Sequence, residues 1–144
     1  MKELNSFRLN FKSRSSNEGF ARVSVSAFLS QYDPTLSEIA DIKTAVSEAV
    51  TNCCVHAYPN EIGDVFLSVK VFEDGVVRIY IRDKGKGIED IEKAMEPMYT
   101  TGDTSERSGL GFTVMQSFCD DLSVRSKLSR GTTVILTKKL SNKD

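Results

Sequence analysis

Apolar and polar residues alternate from Phe7 through Leu9 to Phe11, the period of two that turns one side of a strand into a core and the other to water. The period then lengthens. Between Glu18 and about Gln31, Phe20, Val23, Ala27 and Phe28 recur at helical spacing behind Ser16-Asn17, a pair suited to capping. Arg22 falls off that stripe, facing water or a partner. Pro34 interrupts the chain, and Thr35-Leu36-Ser37-Glu38 has the form of a capping box, with a hydroxyl at the N-cap and a carboxylate three residues on. It opens a longer helix whose Ile39, Ile42, Val46, Ala49, Val50 and Cys53 share one face up to Tyr58-Pro59-Asn60.

Alternation returns in Val65, Leu67, Val69 and Val71. Asp74-Gly75 supplies a hairpin turn, and Val77, Ile79 and Ile81 resume the pattern. A glycine-rich loop from Asp83 to Gly87 leads to a short helix around Ile88 to Met95. The polar stretch from Pro97 to Ser108 has little apolar periodicity and reads as a lid. Gly109-Leu110-Gly111 opens a further helix through Val114, Met115 and Phe118. A last hairpin pairs Leu122 to Leu128 with Thr132 to Leu140 across Ser129-Arg130-Gly131. The order β-α-α-β-β-α-α-β-β predicts an α+β fold: a two-layer sandwich with a mostly antiparallel sheet and helices on one face.

Composition narrows the functional classes. At 144 residues the chain is expected to form one domain, residues 1–144, and with 40% hydrophobic and 27% charged residues it has the balance of a soluble protein. No apolar run approaches the ~20 residues of a membrane span and no secretory signal is visible, so a cytoplasmic setting without membrane contact is expected. Nineteen basic and twenty acidic residues leave a net charge of -1 with no lysine and arginine clustering along the chain, which argues against direct nucleic-acid binding. Cys53, Cys54 and Cys119 form no C-x-x-C pair and are odd in number, so they read as small buried hydrophobes. His56 is the only histidine, which excludes zinc sites that need two; it reads as a structural residue at the helix margin.

Glu48 and Asn52 stand one turn apart on the long helix, on a stripe that begins roughly opposite the core face and reaches its margin at His56. An E-x-x-x-N pair by itself is an ordinary solvated face; at a pocket rim it can orient a nucleophile and ligate Mg²⁺. Asp83-Lys84-Gly85-Lys86-Gly87 follows a strand end, where a carboxylate can meet a ligand edge and glycines let backbone pass close. Ser108-Gly109-Leu110-Gly111-Phe112 stands at a helix start, where free N–H groups form an anion site. Arg130-Gly131-Thr132-Thr133 by itself is a hairpin corner.

Taken in order, these segments resemble the N box and the three glycine boxes of the GHKL ATPases, which include histidine kinases and gyrase-type topoisomerases. Neither the Rossmann nor the P-loop pattern occurs. Within the superfamily, Gly19-Phe20-Ala21-Arg22-Val23, Val46 to Asn52, Tyr99-Thr100-Thr101 and Glu106 to Phe112 are similar to the anti-sigma F factors of endospore-forming bacteria, which are serine protein kinases. Anti-sigma B kinases of the stress response are the competing match. The resemblance implies the GHKL (Bergerat) ATP-binding fold, ATP or ADP with Mg²⁺ as cofactors, and a phosphotransferase. It makes Glu48 the general base toward a substrate serine and Asn52 the Mg²⁺ ligand. It has Asp83 accept from the adenine amino group, with Gly85, Gly87 and Thr132 or Thr133 nearby. Thr100, Thr101 and Ser108 then face the phosphates, the backbone of Gly109, Leu110, Gly111 and Phe112 holds them, and Arg107 reaches the γ-phosphate or a docked partner. Arg22, Glu106 and Arg107 are the implied partner contacts. The implied partners are sigma factor F, an anti-anti-sigma protein that receives the phosphate, and a second copy in a homodimer. Gly102-Asp103 stands where the resemblance leads one to expect a lysine-proline pair, so no lysine of the lid is given a role. A nucleotide-gated binding module without kinase activity is the alternative from another class.

Overall fold

The computed structural model describes residues 1–95 and 111–141. The expected lid, with Thr100, Thr101, Glu106, Arg107 and Ser108, lies outside the described residues, as do Gly109 and Leu110.

Five strands form one sheet: β1 (Glu3–Lys12), β2 (Asp64–Phe72), β3 (Val76–Asp83), β4 (Asp121–Lys127) and β5 (Gly131–Lys139), in the order β1-β2-β3-β5-β4. Every neighbouring pair is antiparallel. Strict alternation puts Val65, Leu67, Val69 and Val71 of β2 on one face with Val77, Ile79 and Ile81 of β3, and Val134 and Leu136 of β5 continue it. Each such side chain contributes about 1.5–3 kcal/mol when buried, so the face demands a cover. Helices α1 (Asn17–Leu29), α2 (Leu36–Asn52) and α4 (Gly111–Phe118) supply core residues to it, and a single turn, α3 (Ile91–Ala94), lies between β3 and α4 in the chain.

The start of α2 is set by the capping box that the sequence predicts. The Glu38 N–H donates to Thr35 Oγ1 at 3.0 Å, and the Thr35 N–H donates to Glu38 Oε1 at 2.8 Å. Glu38 Oε2 also accepts the Ser141 N–H at 2.6 Å, so the cap carboxylate ties the end of the last hairpin to the helix and is buried in doing so. Burial pushes its pKa up, but the bonds from Thr35 and Ser141 outweigh that and hold it below the usual value.

Three expectations about the helices are corrected. In α1 the buried residues are Ala21, Val25 and Leu29, whereas Phe20 (51% exposed), Val23 (60%) and Ala27 face outward. Phe28 is half-buried, its ring 4.7 Å from that of Phe7. Both apolar sets satisfy helical spacing; the inward set begins with the smaller residues, which let α1 approach α2 closely. On α2, the Glu48 and Asn52 side is not opposite the core: α4 packs there, and Gly111 abuts Asn52. Helix α2 also does not run evenly to Tyr58, because Cys53–Ala57 forms a π-helical turn, a feature frequent at functional sites.

Candidate functional site

A cavity of ≈ 930 Å³ opens where α2 and its π turn, the loop after β3, the start of α4, and the β4–β5 hairpin meet. Its size suits a cofactor-sized ligand. Ala49, Asn52, Asp83, Phe112, Thr132 and Val134 are among its walls.

At one end stands Asp83, the last residue of β3, on the inward face and buried. Its Oδ1 accepts the N–H of Gly85 at 2.9 Å and that of Thr132 at 3.2 Å. Its Oδ2 accepts the Cys53 thiol at 3.6 Å, a weak donor that leaves lone pairs for a stronger one. Burial raises the Asp83 pKa, and the two amides and the thiol oppose that rise. Cys53 is pushed well above the usual thiol range, first by burial and then by the Asp83 charge, so it remains a neutral S–H donor.

The loop around Asp83 is fixed by main chain. The Lys86 N–H donates to the Ala57 carbonyl of the π turn at 2.9 Å, and the Ser129 N–H donates to the Lys86 carbonyl at 2.6 Å. A side chain at Gly85 would run into that Ala57 carbonyl, and one at Gly131 (φ 109°) into the Asp83 carbonyl. The Tyr58 hydroxyl donates to the Asp64 carbonyl and accepts the Lys84 N–H, each at 2.7 Å, which anchors the same loop from below.

At the other end, Asn52 Oδ1 and Nδ2 lie 3.1 and 3.3 Å from where a Cβ on Gly111 would sit, and Glu48 Oε2 lies 3.5 Å from it. Glycine is therefore what lets the first residue of α4 settle against these two side chains. Glu48 also borders a second cleft, between α1 and α2, with Arg22, Lys43 and Ser47. Arg22 Nε lies 3.1 Å from Glu18 Oε2, which accepts the Ser47 hydroxyl at 2.7 Å, so Arg22 is held against Glu18 at the cleft that Glu48 also borders, with its side chain 40% exposed.

Of the residues singled out in the sequence, Asn52, Asp83, Gly87, Gly111, Phe112 and Thr132 line the cavity. Gly85 acts from behind, as an amide donor to Asp83. Thr133 is corrected: it pairs with Arg82 and Arg125 and alternation turns it to the opposite face of the sheet, leaving only Thr132 at the cavity. His56, read as structural, lines the cavity. Three contributors escaped the sequence reading. The sequence puts Cys53 in the core without its bond to Asp83, gives Tyr58 only as a helix end, and carries no mark on Ser126. The Ser126 hydroxyl takes the Ile88 N–H at 2.8 Å and lies 2.8 Å from Thr132 Oγ1. The register of the last hairpin, which sets Ser126 opposite Thr132, is the signal that finds it.

Residues 11–138 match the family described as the histidine kinase-like ATPase domain. The chain is 56% identical over 139 residues to the anti-sigma F factor of a Thermoanaerobacter species, covering 96% of each chain. It is 55% identical over 134 residues to that of Caldanaerobacter subterraneus, covering 93% of each. Among solved structures, the RsbU and RsbW domains of Rv1364c from Mycobacterium tuberculosis share the fold, with a TM-score of 0.71 at 20% identity over 95% of this chain and 33% of that one. The chain therefore belongs to the anti-sigma F factor family and is built on a histidine kinase-like ATPase domain.

Proposed function

We propose that the cavity holds ATP with Mg²⁺, adenine at Asp83 and phosphates toward Asn52 and Gly111, and that the chain transfers the γ-phosphate to a serine of an anti-anti-sigma protein while holding sigma factor F from RNA polymerase when that antagonist is phosphorylated. The observation that carries the reading is the Asp83 carboxylate. Two backbone amides and a thiol fix it in the cavity wall, and Oδ2 has capacity for a hydrogen bond from an exocyclic amine.

Asn52 and Glu48 offer oxygen donors at the far end, the donor type that Mg²⁺ prefers. The ion would be carried mainly by phosphates and water and touched by Asn52. Bound there, the ion would neutralise phosphate charge. Glu48, one helical turn before Asn52 and beside the cleft that Arg22 borders, would take the proton of an incoming serine hydroxyl. Arg22 would meet the protein that brings it. Family membership brings a homodimer and a cytoplasmic setting to this reading, and among the described residues no helix is long and apolar enough to cross a membrane.

The test incubates the purified chain with Mg-ATP and the anti-anti-sigma protein encoded beside it, and reads phosphate on serine by mass spectrometry. One modified serine is the expected result. Bound nucleotide without any transfer would replace the kinase with a nucleotide-gated sigma-binding module.

A further inference from the structure

The helices cover one face of the sheet, and among the described residues no helix packs on the other. Register places that open face in rows: Asn10, Phe66, Arg82, Thr133 and Arg125 in one, and Arg8, Ser68, Tyr80, Ile135 and Ser123 in the next. Lys70 and Arg78 face each other in a third. With strands ~4.8 Å apart, the field is about 20 Å across.

Four of its cations lie over aromatic rings. The Arg82 guanidinium lies 4.5 Å from the centre of the Phe66 ring and Lys84 Nζ 5.1 Å from it; Arg78 lies 5.2 Å from Phe72, and Lys70 Nζ 5.5 Å from Tyr80. Such contacts order a cation without neutralising it. Carboxylates on this face lie toward its margins, where Asp64 pairs with Lys12 at 2.7 Å, Glu3 approaches Lys70 at 3.8 Å, and Asp121 ends the third row on the edge strand β4. Arg8, Arg78, Arg82, Lys84 and Arg125 form no ion pair among the described residues. On a chain with a net charge of -1, this face is a local positive surplus balanced by acid elsewhere. The sequence shows no basic cluster because these residues come from three strands and the loop after β3, between positions 8 and 125.

We propose that the open face of the sheet docks an acidic, extended segment of a partner protein, with its carboxylates on the guanidinium groups of Arg8, Arg78, Arg82 and Arg125. Arginine forks match carboxylates in pairs of hydrogen bonds, and the ring contacts pre-order two of them, which lowers the entropy cost of binding. Single-stranded nucleic acid, the other polyanion, is disfavoured because it binds such sheets by stacking bases on open rings. Here Phe66, Phe72 and Tyr80 each carry a cation. The face lies across the sheet from the cavity, so the proposal does not depend on the nucleotide reading.

A fluorescent glutamate-rich peptide of about eight residues, enough to cross the sheet at ~3.3 Å per residue, tests this by anisotropy at about 0.15 M salt. An oligothymidylate of equal charge serves as comparator. The peptide is expected to bind, more tightly than the oligonucleotide, and the Arg78→Glu/Arg82→Glu double variant should bind it at least ~10-fold more weakly with an unchanged circular dichroism spectrum. Should charge reversal impair folding, Arg78→Gln/Arg82→Gln gives the same comparison. No peptide binding, binding indifferent to the variants, or an oligonucleotide that binds as tightly would each overturn the proposal.

Discussion

The two ends of the cavity are built from different materials. Around Asp83 the carboxylate is held chiefly by main chain, joined by the Cys53 thiol: amides of Gly85 and Thr132 on the carboxylate, the Ala57 carbonyl under Lys86, and glycines at 85 and 131 where a Cβ has no room. Around Asn52 the working groups are side chains on a regular helix, with Glu48 one turn away and the start of α4 beside both. The difference teaches where change is tolerated. The main-chain support of Asp83 is inseparable from the fold, whereas a helix can exchange one side chain for an isostere and remain a helix.

The largest effect is expected at the side-chain end. Glu48→Gln should slow phosphate transfer to the antagonist serine by ~100-fold or more, the range for losing a general base. Nucleotide affinity and melting temperature should stay as they are. A normal transfer rate would remove Glu48 from the mechanism. At the main-chain end the penalty falls on the fold itself. Gly131 has φ 109° and its missing Cβ would meet the Asp83 carbonyl, so Gly131→Ala should cost about 2 kcal/mol or more in denaturant unfolding. A loss within experimental error would show that this end is softer than its geometry implies.

A smaller effect, remote from both ends, sharpens the contrast. Thr35→Ala removes one half of the α2 capping box and should cost about 1 kcal/mol without altering nucleotide affinity. Because Glu38 is held below its usual pKa, its contribution to stability is present above the unfolded-state value and is lost as pH falls through the depressed folded one. Loss of the Thr35 hydroxyl should flatten that acid limb. Unfolding followed across that acid range measures both.

Much of this was legible in the residues. The capping box fixed where α2 begins, because it is a local device. The two hairpins followed from alternation and turn glycines, and E-x-x-x-N, D-x-G-x-G and G-T-T in order located the cavity. What escaped depended on tertiary contact. Phe20 and Ala21 both fit a helical stripe, and only packing against α2 and the sheet decides which is buried. Thr132 and Thr133 are adjacent in sequence but lie on opposite faces of β5, a distinction set by register. The Cys53 bond to Asp83 joins positions thirty residues apart. The cationic field is likewise invisible along the chain, because pairing five strands creates it.

In the proposed function, Asp83 is the group that would meet the adenine amine. Because its pKa is raised by burial, it will take up a proton above the usual aspartate range and lose acceptor capacity there, so the decisive titration belongs near neutral pH. Calorimetric titration of Mg-ATP against Mg-inosine triphosphate is the direct measurement, since inosine presents a carbonyl where adenine presents an amine. ATP should bind about tenfold more tightly or better, the worth of a hydrogen bond to a charged acceptor, and Asp83→Asn should narrow the gap. Equal affinity for the two nucleotides in the unaltered chain would contradict the account.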